Sequence, residues 1–221
     1  MGSSIGLNCT NIECDEIWTF VGKKQAKLRS EEKYGEKGDQ YVFVGLDRDT
    51  KLVPVFVVGK RNTVTAVVFM QELRKRVLGR FQLTTDQLSG YSPAVFGIFG
   101  PNIDYATVSK IYHSNGDSKR EGYSPSRLQR IEIRKVSGRP EKRRICTSYV
   151  ERQNLTIRMK MRRFTRLTNA FSKSLVSLKA AMALHFYHYN FMRIHQTLRV
   201  TPAIEAGLTN HVWGWDNVLE N

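Results

Sequence analysis

Cysteine and long apolar runs are both scarce in this 221-residue sequence. The three cysteines lie at positions 9, 14 and 146 and form no Cys-x-x-Cys pair. This excludes a disulfide framework or a zinc ribbon and is typical of a reduced intracellular protein. No segment approaches the roughly 20 apolar residues that a membrane-spanning helix needs, and residues 1–10 lack the charged and apolar regions of a signal peptide. We therefore expect a cytoplasmic protein without membrane contact.

Acidic residues are few relative to basic ones. The chain has 20 Asp and Glu against 35 Lys and Arg, which gives a net charge of +15. Most of the excess is concentrated between residues 119 and 166, where sixteen basic residues face four acidic ones. Such clustering favours nucleic acid as the partner, because Lys and Arg neutralise phosphates and release counterions. The alternative is a basic but otherwise ordinary protein, since the hydrophobic fraction of 41% is sufficient for a packed core.

Hydrophobic periodicity predicts strands and helices in the order β-β-β-α-β-α-β. The predicted strands cover residues 12–21, 41–46, 52–58, 81–86 and 103–112, and the predicted helices cover 63–78 and 91–99. Residues 113–147 are basic and polar, which predicts an insertion or flexible loop before a helix that begins near Ser148. This is the element order of the α/β ribonuclease-H-like fold, a mixed five-stranded sheet flanked by helices. We predict that residues 1–167 form this core and that residues 168–221 form a C-terminal helical extension packed on it.

Three carboxylates occupy places where a metal-dependent nuclease would need them. Asp15 lies in the first predicted strand, Asp86 closes the fourth, and Glu151 opens the long basic helix. Carboxylates in or beside apolar elements are costly unless they are paired or metal-bound, so this trio indicates a site for a hard cation. Glu13 and Glu16 flank Asp15, and we expect both to point to the opposite, solvent-facing side of the strand.

The helix that begins near Ser148 has a predicted core face and a neighbouring charged face. At about 100° per residue, the core face is formed by Val150, Ile157, Met161 and Phe164. Glu151, Arg158 and Arg162 form the charged face. In this interpretation Glu151 faces the metal site while the two arginines follow a phosphate backbone. The alternative is a solvated basic face in which the helix dipole favours Glu151 near the N-terminus.

Several segments together resemble the DDE transposases of bacterial insertion sequences, most closely the insertion-sequence-one type. The resemblance rests on residues 14–22, 83–86 with Tyr91, 147–156, 162–172 and 189–203. These segments span nearly the whole chain, and the motif around Glu151 is the most specific of them.

The resemblance implies a catalytic site in which Asp15, Asp86 and Glu151 hold two divalent cations. Magnesium would be the physiological ion and manganese a substitute. The implied reactions are strand nicking by water and strand transfer by the freed 3′-hydroxyl, with element ends and target DNA as double-stranded partners and a homo-oligomer as the active species. The residues expected to bind DNA are Arg158, Arg162, Lys142, Arg143, Arg144, Arg193 and His195, of which the last two could instead buttress the site.

Related transposases usually carry an N-terminal module that reads the element ends. Asp15 is preceded here by only fourteen residues, so we expect that module to be absent. One alternative is therefore a domesticated, transposase-derived DNA-binding protein without transposition activity. A second is a hydrolytic nuclease of the same fold. For the transposase itself, the expected location is the prokaryotic cytoplasm, in association with the nucleoid.

Overall fold

A mixed β-sheet organises the molecule. The computed structural model describes residues 6–32, 36–112, 128–165 and 169–219. Within these residues the sheet has six strands in the order β3-β2-β1-β4-β5-β6. The strands are β1 (Asn11–Val21), β2 (Gly38–Asp47), β3 (Val55–Gly59), β4 (Gln82–Thr85), β5 (Asp104–Tyr112) and β6 (Leu128–Ser137). The predicted α/β fold with a mixed sheet and flanking helices is confirmed.

The sixth strand corrects the prediction of five strands, since part of the segment 113–147, predicted as an insertion or flexible loop, forms β6. β6 pairs antiparallel with β5 along its length, and Lys142–Arg144 form a short 3₁₀ turn. Ile131 and Ile133 alternate with charged residues, but the basic composition concealed this period of two. A charged, exposed strand suits the edge of a sheet, where charge discourages pairing with other chains. Residues 113–127 of the predicted loop lie outside the described residues.

Helices cover both faces of the sheet. The helices are α1 (Thr63–Arg76), α2 (Tyr91–Phe99), α3 (Ser148–Lys160), α4 (Leu175–Tyr187), α5 (Pro202–Glu205) and α6 (Asp216–Leu219), and a π-helical turn at His188–Met192 continues α4. α1 and α2 bury one cluster with Ile12, Cys14 and Phe43. α3 and α4 bury a second cluster with Val42 and Val44. Since side chains alternate along a strand, the two clusters lie on opposite faces.

The helix that carries Glu151 begins at Ser148 as predicted but ends earlier than expected. α3 stops at Lys160, Met161 has extended backbone angles, and Arg162–Phe164 form a 3₁₀ turn. Phe164 is nevertheless buried in the second cluster, because the turn folds it back onto the core. Arg162 therefore does not continue the charged face of α3, which corrects the angular prediction. The predicted boundary between residues 167 and 168 lies outside the described residues.

No helix among the described residues combines the length and the apolarity needed to cross a bilayer.

Candidate metal centre

Asp15 and Asp86 are brought together by the parallel pairing of β1 with β4. Cys14 lies opposite Thr85 in this ladder, so the next residue of each strand meets the other at the same end of the sheet. One oxygen from each of Asp15, Glu16 and Asp86 lies within 4.8 Å of the others. Asp15 and Asp86 line an acidic pocket that has a volume of about 530 Å³ and opens to solvent, and Glu16 is not among the residues that line it. Oxygen ligands at this spacing suit a hard divalent cation.

Glu151 lines the same pocket from the first turn of α3 but stands apart from the compact trio. Its Oε1 accepts a hydrogen bond of 2.7 Å from the Thr147 hydroxyl. Its Oε2 forms an ion pair with Lys110 of β5, a pocket residue that the sequence interpretation missed. The three predicted carboxylates thus share one pocket, with two of them on its floor and Glu151 at its rim.

Glu13 is buried, contrary to the expectation that it faces solvent. It lies two residues before Asp15 and therefore on the same face of β1, the face that packs against α3. Glu13 Oε2 accepts hydrogen bonds from the backbone amides of Tyr149 (2.9 Å) and Val150 (3.1 Å). Burial raises the pKa of its carboxyl group, and a hydrogen bond from Cys146 Sγ opposes this effect. A carboxylate at a helix N-terminus satisfies amides that have no partner within the helix, so Glu13 fixes α3, and with it Glu151, against β1.

Glu16 is also buried, which corrects the second expectation about the residues beside Asp15. Its side chain is 2% exposed, and its Oε2 pairs with Arg61 Nε at 3.2 Å. The second guanidinium arm of Arg61 reaches Asp86 Oδ2 at 3.4 Å. Burial and the nearby Asp86 carboxylate raise the pKa of Glu16 to about 7. The side chain therefore adds a fourth carboxylate to the site.

The pKa of Asp15 is raised to about 6, first by burial and next by Asp86. Asn154 of α3 donates a 2.8 Å hydrogen bond to Asp15 Oδ2 and opposes this shift. Raised pKa values at several neighbouring carboxylates are expected where the carboxylates are buried and their negative charges are crowded. The donor set and its electrostatics therefore fit divalent cations, which would relieve this repulsion.

The basic residues predicted to bind DNA are dispersed. Lys142 and Arg143 are exposed on the 3₁₀ turn, whereas Arg144 forms an ion pair with Asp49. Arg158 is half-buried on α3, two turns beyond Glu151. Arg162 is exposed beyond the end of that helix. The structure therefore places these residues on different elements instead of along one continuous helical face.

Arg193 and His195 do not line the acidic pocket. They line a separate groove of about 290 Å³ together with Lys51, Tyr149 and Arg152, and none of the residues that line it is a carboxylate. Lys51 Nζ lies 3.7 Å from the centre of the Tyr149 ring, a cation–π contact. On α3, Tyr149 and Arg152 are about 100–160° around the axis from Glu151. This basic groove thus flanks a different face of the helix that carries Glu151.

Sequence reasoning could have found some of the residues that it missed. Residues two apart on a strand lie on the same face, so the sequence pattern could have predicted that Glu13 is buried on the face that carries Asp15. Arg61 lies in the loop before α1 and Lys110 on β5, and no local pattern links either residue to Asp86 or Glu151. Their roles became visible only with the tertiary structure.

No family model matches the chain, and no curated protein matches it. Among solved structures, it is similar to a chain in the cryo-EM structure of the simian T-cell lymphotropic virus intasome in complex with PP2A regulatory subunit B56 gamma. The identity is 11%, the TM-score is 0.51, and the alignment covers 90% of this chain and 55% of that one. The fold is ribonuclease-H-like. At this identity the similarity shows the fold alone.

A weaker similarity involves the piggyBac transposase synaptic complex with hairpin DNA. It has 10% identity and a TM-score of 0.41, over 81% of this chain and 45% of that one. The chain thus spans about half the length of the solved chains that it matches. Within the ribonuclease-H-like fold of this chain, Asp15 lies on the central part of the sheet, Asp86 follows β4, and Glu151 lies on α3.

Proposed function

We propose that the chain is the catalytic core of a DDE-type DNA transposase that nicks DNA and transfers the resulting strand end. The observation that carries the proposal is one pocket lined by Asp15 of β1, Asp86 directly after β4, and Glu151 of α3. The assignment to bacterial insertion sequences rests on the sequence resemblance. The similarity to an intasome chain supports the fold on which the proposed site is built.

Asp15, Asp86 and Glu151 are the proposed ligands of two divalent cations, with Mg²⁺ as the physiological ion and Mn²⁺ as a substitute. When bound, such ions would activate the attacking oxygen and stabilise the leaving 3′-oxygen. The chain itself positions the carboxylates. Asn154 holds Asp15 and Thr147 holds Glu151 through hydrogen bonds. Lys110 and Arg61, which pair with Glu151 and Asp86, would be released to face DNA phosphates.

Double-stranded DNA, as element ends and target, is the proposed partner. Lys142, Arg143 and Arg158 supply positive charge outside the pocket, and Arg193 and His195 supply it in the basic groove. Phosphate contacts of this kind give affinity without sequence specificity. Self-association is part of the proposal by resemblance to transposases, which generally act as dimers or larger oligomers on paired DNA ends.

The test is a joining assay with a preprocessed duplex end, a supercoiled target plasmid, and Mg²⁺ or Mn²⁺. We expect metal-dependent joined products from the wild type and none from Asp86→Asn, with duplex binding retained. Asp216→Asn is the matched control, since Asp216 is exposed on α6. Joining that persists at the wild-type rate in Asp86→Asn would overturn the proposed site.

One alternative also has an observation in its favour. Lys110 pairs with Glu151 and Arg61 pairs with Asp86, so these carboxylates are neutralised without a metal ion. A domesticated DNA-binding protein could retain the carboxylates for these ion pairs alone. That alternative predicts duplex binding without joining, unchanged by Asp86→Asn. Cleavage of an RNA–DNA hybrid in the same assay would instead identify a hydrolytic nuclease of this fold.

A further inference from the structure

We propose that Glu16 is a further metal ligand of the acidic pocket and joins Asp15 and Asp86 around a divalent cation once Arg61 has moved away. This inference rests on the proposed function, because it adds a ligand to the same site. It concerns a residue outside the trio of Asp15, Asp86 and Glu151.

One carboxylate oxygen of Glu16 lies close to oxygens of Asp15 and Asp86. This oxygen belongs to the group in which oxygens of Asp15, Glu16 and Asp86 all lie within 4.8 Å of one another. Glu151, by contrast, is engaged with Lys110 and Thr147 at the pocket rim. The three carboxylates that can already reach a single ion therefore include Glu16 in place of Glu151.

The other relevant feature of Glu16 is a carboxylate oxygen that has no hydrogen-bond partner. Only 2% of the side chain is exposed, and Oε1 is buried without a hydrogen-bond partner. The Tyr91 hydroxyl is nearby, but it too lacks a partner that meets the distance and angle of a hydrogen bond. A buried carboxylate oxygen without a partner is costly. A cation bound beside Asp15 and Asp86 would compensate the negative charge of this carboxylate.

The Arg61 guanidinium is a cation that already contacts two of these carboxylates. Arg61 bridges Glu16 Oε2 at 3.2 Å and Asp86 Oδ2 at 3.4 Å, using one nitrogen for each carboxylate. Its side chain is 43% exposed, and the Tyr41 ring lies 5.9 Å from its guanidinium carbon. Removal of the partner of a buried carboxylate is costly unless another cation takes its place, and the exposed side of the guanidinium gives such a cation access. Arg61 therefore stands where a divalent cation would draw the two carboxylates together.

A purely structural role for Glu16 makes a different prediction. In that case Glu16 would only orient Arg61, which in turn would orient Asp86, and Glu16 would have no effect once Arg61 is gone. A metal ligand, in contrast, should matter whether or not Arg61 is present. The double-mutant cycle of Glu16 and Arg61 separates these roles.

The experiment measures Mn²⁺ binding to the full chain without DNA, by electron paramagnetic resonance of the free ion. We expect Glu16→Gln to weaken Mn²⁺ binding by about tenfold or more, the range found when residues of a metal site are altered. Glu132→Gln is the matched control and should bind like the wild type, since Glu132 pairs with Arg130 on the exposed edge strand. Wild-type affinity in Glu16→Gln would overturn the proposal.

The cycle uses Arg61→Gln as the second background. Removal of the competing cation should tighten Mn²⁺ binding, and Glu16→Gln in this background should again weaken it by about tenfold. If Glu16→Gln has no effect when Arg61 is absent, Glu16 only orients Arg61 and the proposal falls. Should Glu16→Gln fail to fold by circular dichroism, Glu16→Asp provides the same test, because it withdraws the oxygen by one methylene and should also weaken binding.

Strand joining, measured on the same samples, separates this proposal from the proposed function. Weaker Mn²⁺ binding in Glu16→Gln, together with a wild type that joins no DNA ends, supports the ligand and rejects the transposase. Unchanged Mn²⁺ binding in Glu16→Gln, together with an active wild type, rejects the ligand and leaves the transposase in place.

Discussion

The acidic pocket and the basic groove lie beside different faces of α3 and differ in how their charges are compensated. In the pocket, Asp86 and Glu151 each have a basic partner, Arg61 and Lys110 respectively. In the groove, Lys51, Arg152 and Arg193 lie together without a carboxylate among the lining residues. The pocket is therefore suited to bind a cation between its carboxylates, whereas the groove is suited to bind an anion between its basic side chains.

The two regions also differ in how firmly their side chains are held. The pocket carboxylates depend on buried contacts, such as those of Glu13 with α3 and Asn154 with Asp15. In the groove, Arg152 and Arg193 are exposed on long side chains. We infer that catalysis in the pocket depends on accurate placement of its side chains, while DNA binding in the groove depends mainly on their charge. Single substitutions should therefore have large effects in the pocket and small ones in the groove.

The largest expected effect is that of Asp15→Asn on strand joining. Loss of a carboxylate that holds the cations should reduce the joining rate by about a thousandfold, as for the removal of one preorganised electrostatic group. Arg193→Ala should change the rate less than tenfold when DNA is saturating, because it lies in the groove. Single-turnover joining kinetics measure both. Equal losses in the two variants would contradict the distinction between geometry and charge.

Glu13→Ala should have the next largest effect, on stability. The substitution leaves the amides of Tyr149 and Val150 without their buried acceptor, which should lower the free energy of unfolding by about 2–3 kcal/mol. Glu13→Gln retains one acceptor oxygen and should lose less. Urea denaturation checks both values, and Glu132→Gln on the edge strand is the control. A loss below 0.5 kcal/mol for Glu13→Ala would show that Glu13 does not fix α3.

A smaller effect is expected when pH is varied in metal-free buffer. Because the pKa of Asp15 is raised to about 6, the folded state binds more protons than the unfolded state between its ordinary pKa near 4 and pH 6. The contribution of Asp15 to stability therefore falls as pH rises through this window. Asp15→Asn, which cannot ionise, should gain stability relative to the wild type between pH 4 and pH 7. Denaturation at both pH values tests this, and an opposite trend would contradict it.

The smallest effects are expected for single charges in the groove. Arg152→Ala should weaken duplex binding several-fold at physiological salt and reduce the slope of log affinity against log salt concentration by about one. Lys179→Ala, an exposed residue of α4, is the control for net charge. Fluorescence anisotropy at several salt concentrations provides the slopes. An unchanged slope for Arg152→Ala would contradict the proposal that DNA contacts the groove.

Local patterns predicted much of the fold. The strands, α1, α2 and the start of α3 follow from periodicities of two and 3.6 residues, which depend only on neighbouring residues. β6 was missed because its charged residues resembled a loop, and the early end of α3 was missed because Phe164 still reaches the core from a 3₁₀ turn. Both errors arise where tertiary packing overrides a local signal.

The candidate site was only partly predictable for the same reason. Asp15, Asp86 and Glu151 could be selected by residue type and by position relative to strands and a helix. The sequence could not reveal that Glu16 turns toward Asp86, since this depends on Arg61 from a loop 45 residues away. Nor could it reveal that Lys110 pairs with Glu151 from β5.

By itself, the sequence determined the basic charge, the order of elements as far as β5 and the identity of the three candidate carboxylates, because each of these follows from residue type and local spacing. Only the tertiary structure decided which carboxylates share the pocket floor, which one stands at the rim, and which basic residues form a separate groove. The physical reason is that oxygens of Asp15, Glu16 and Asp86 meet within 4.8 Å only through the parallel pairing of β1 with β4, and Glu151 reaches the pocket only through the packing of α3 on β1. Those contacts join parts of the chain that are far apart in sequence.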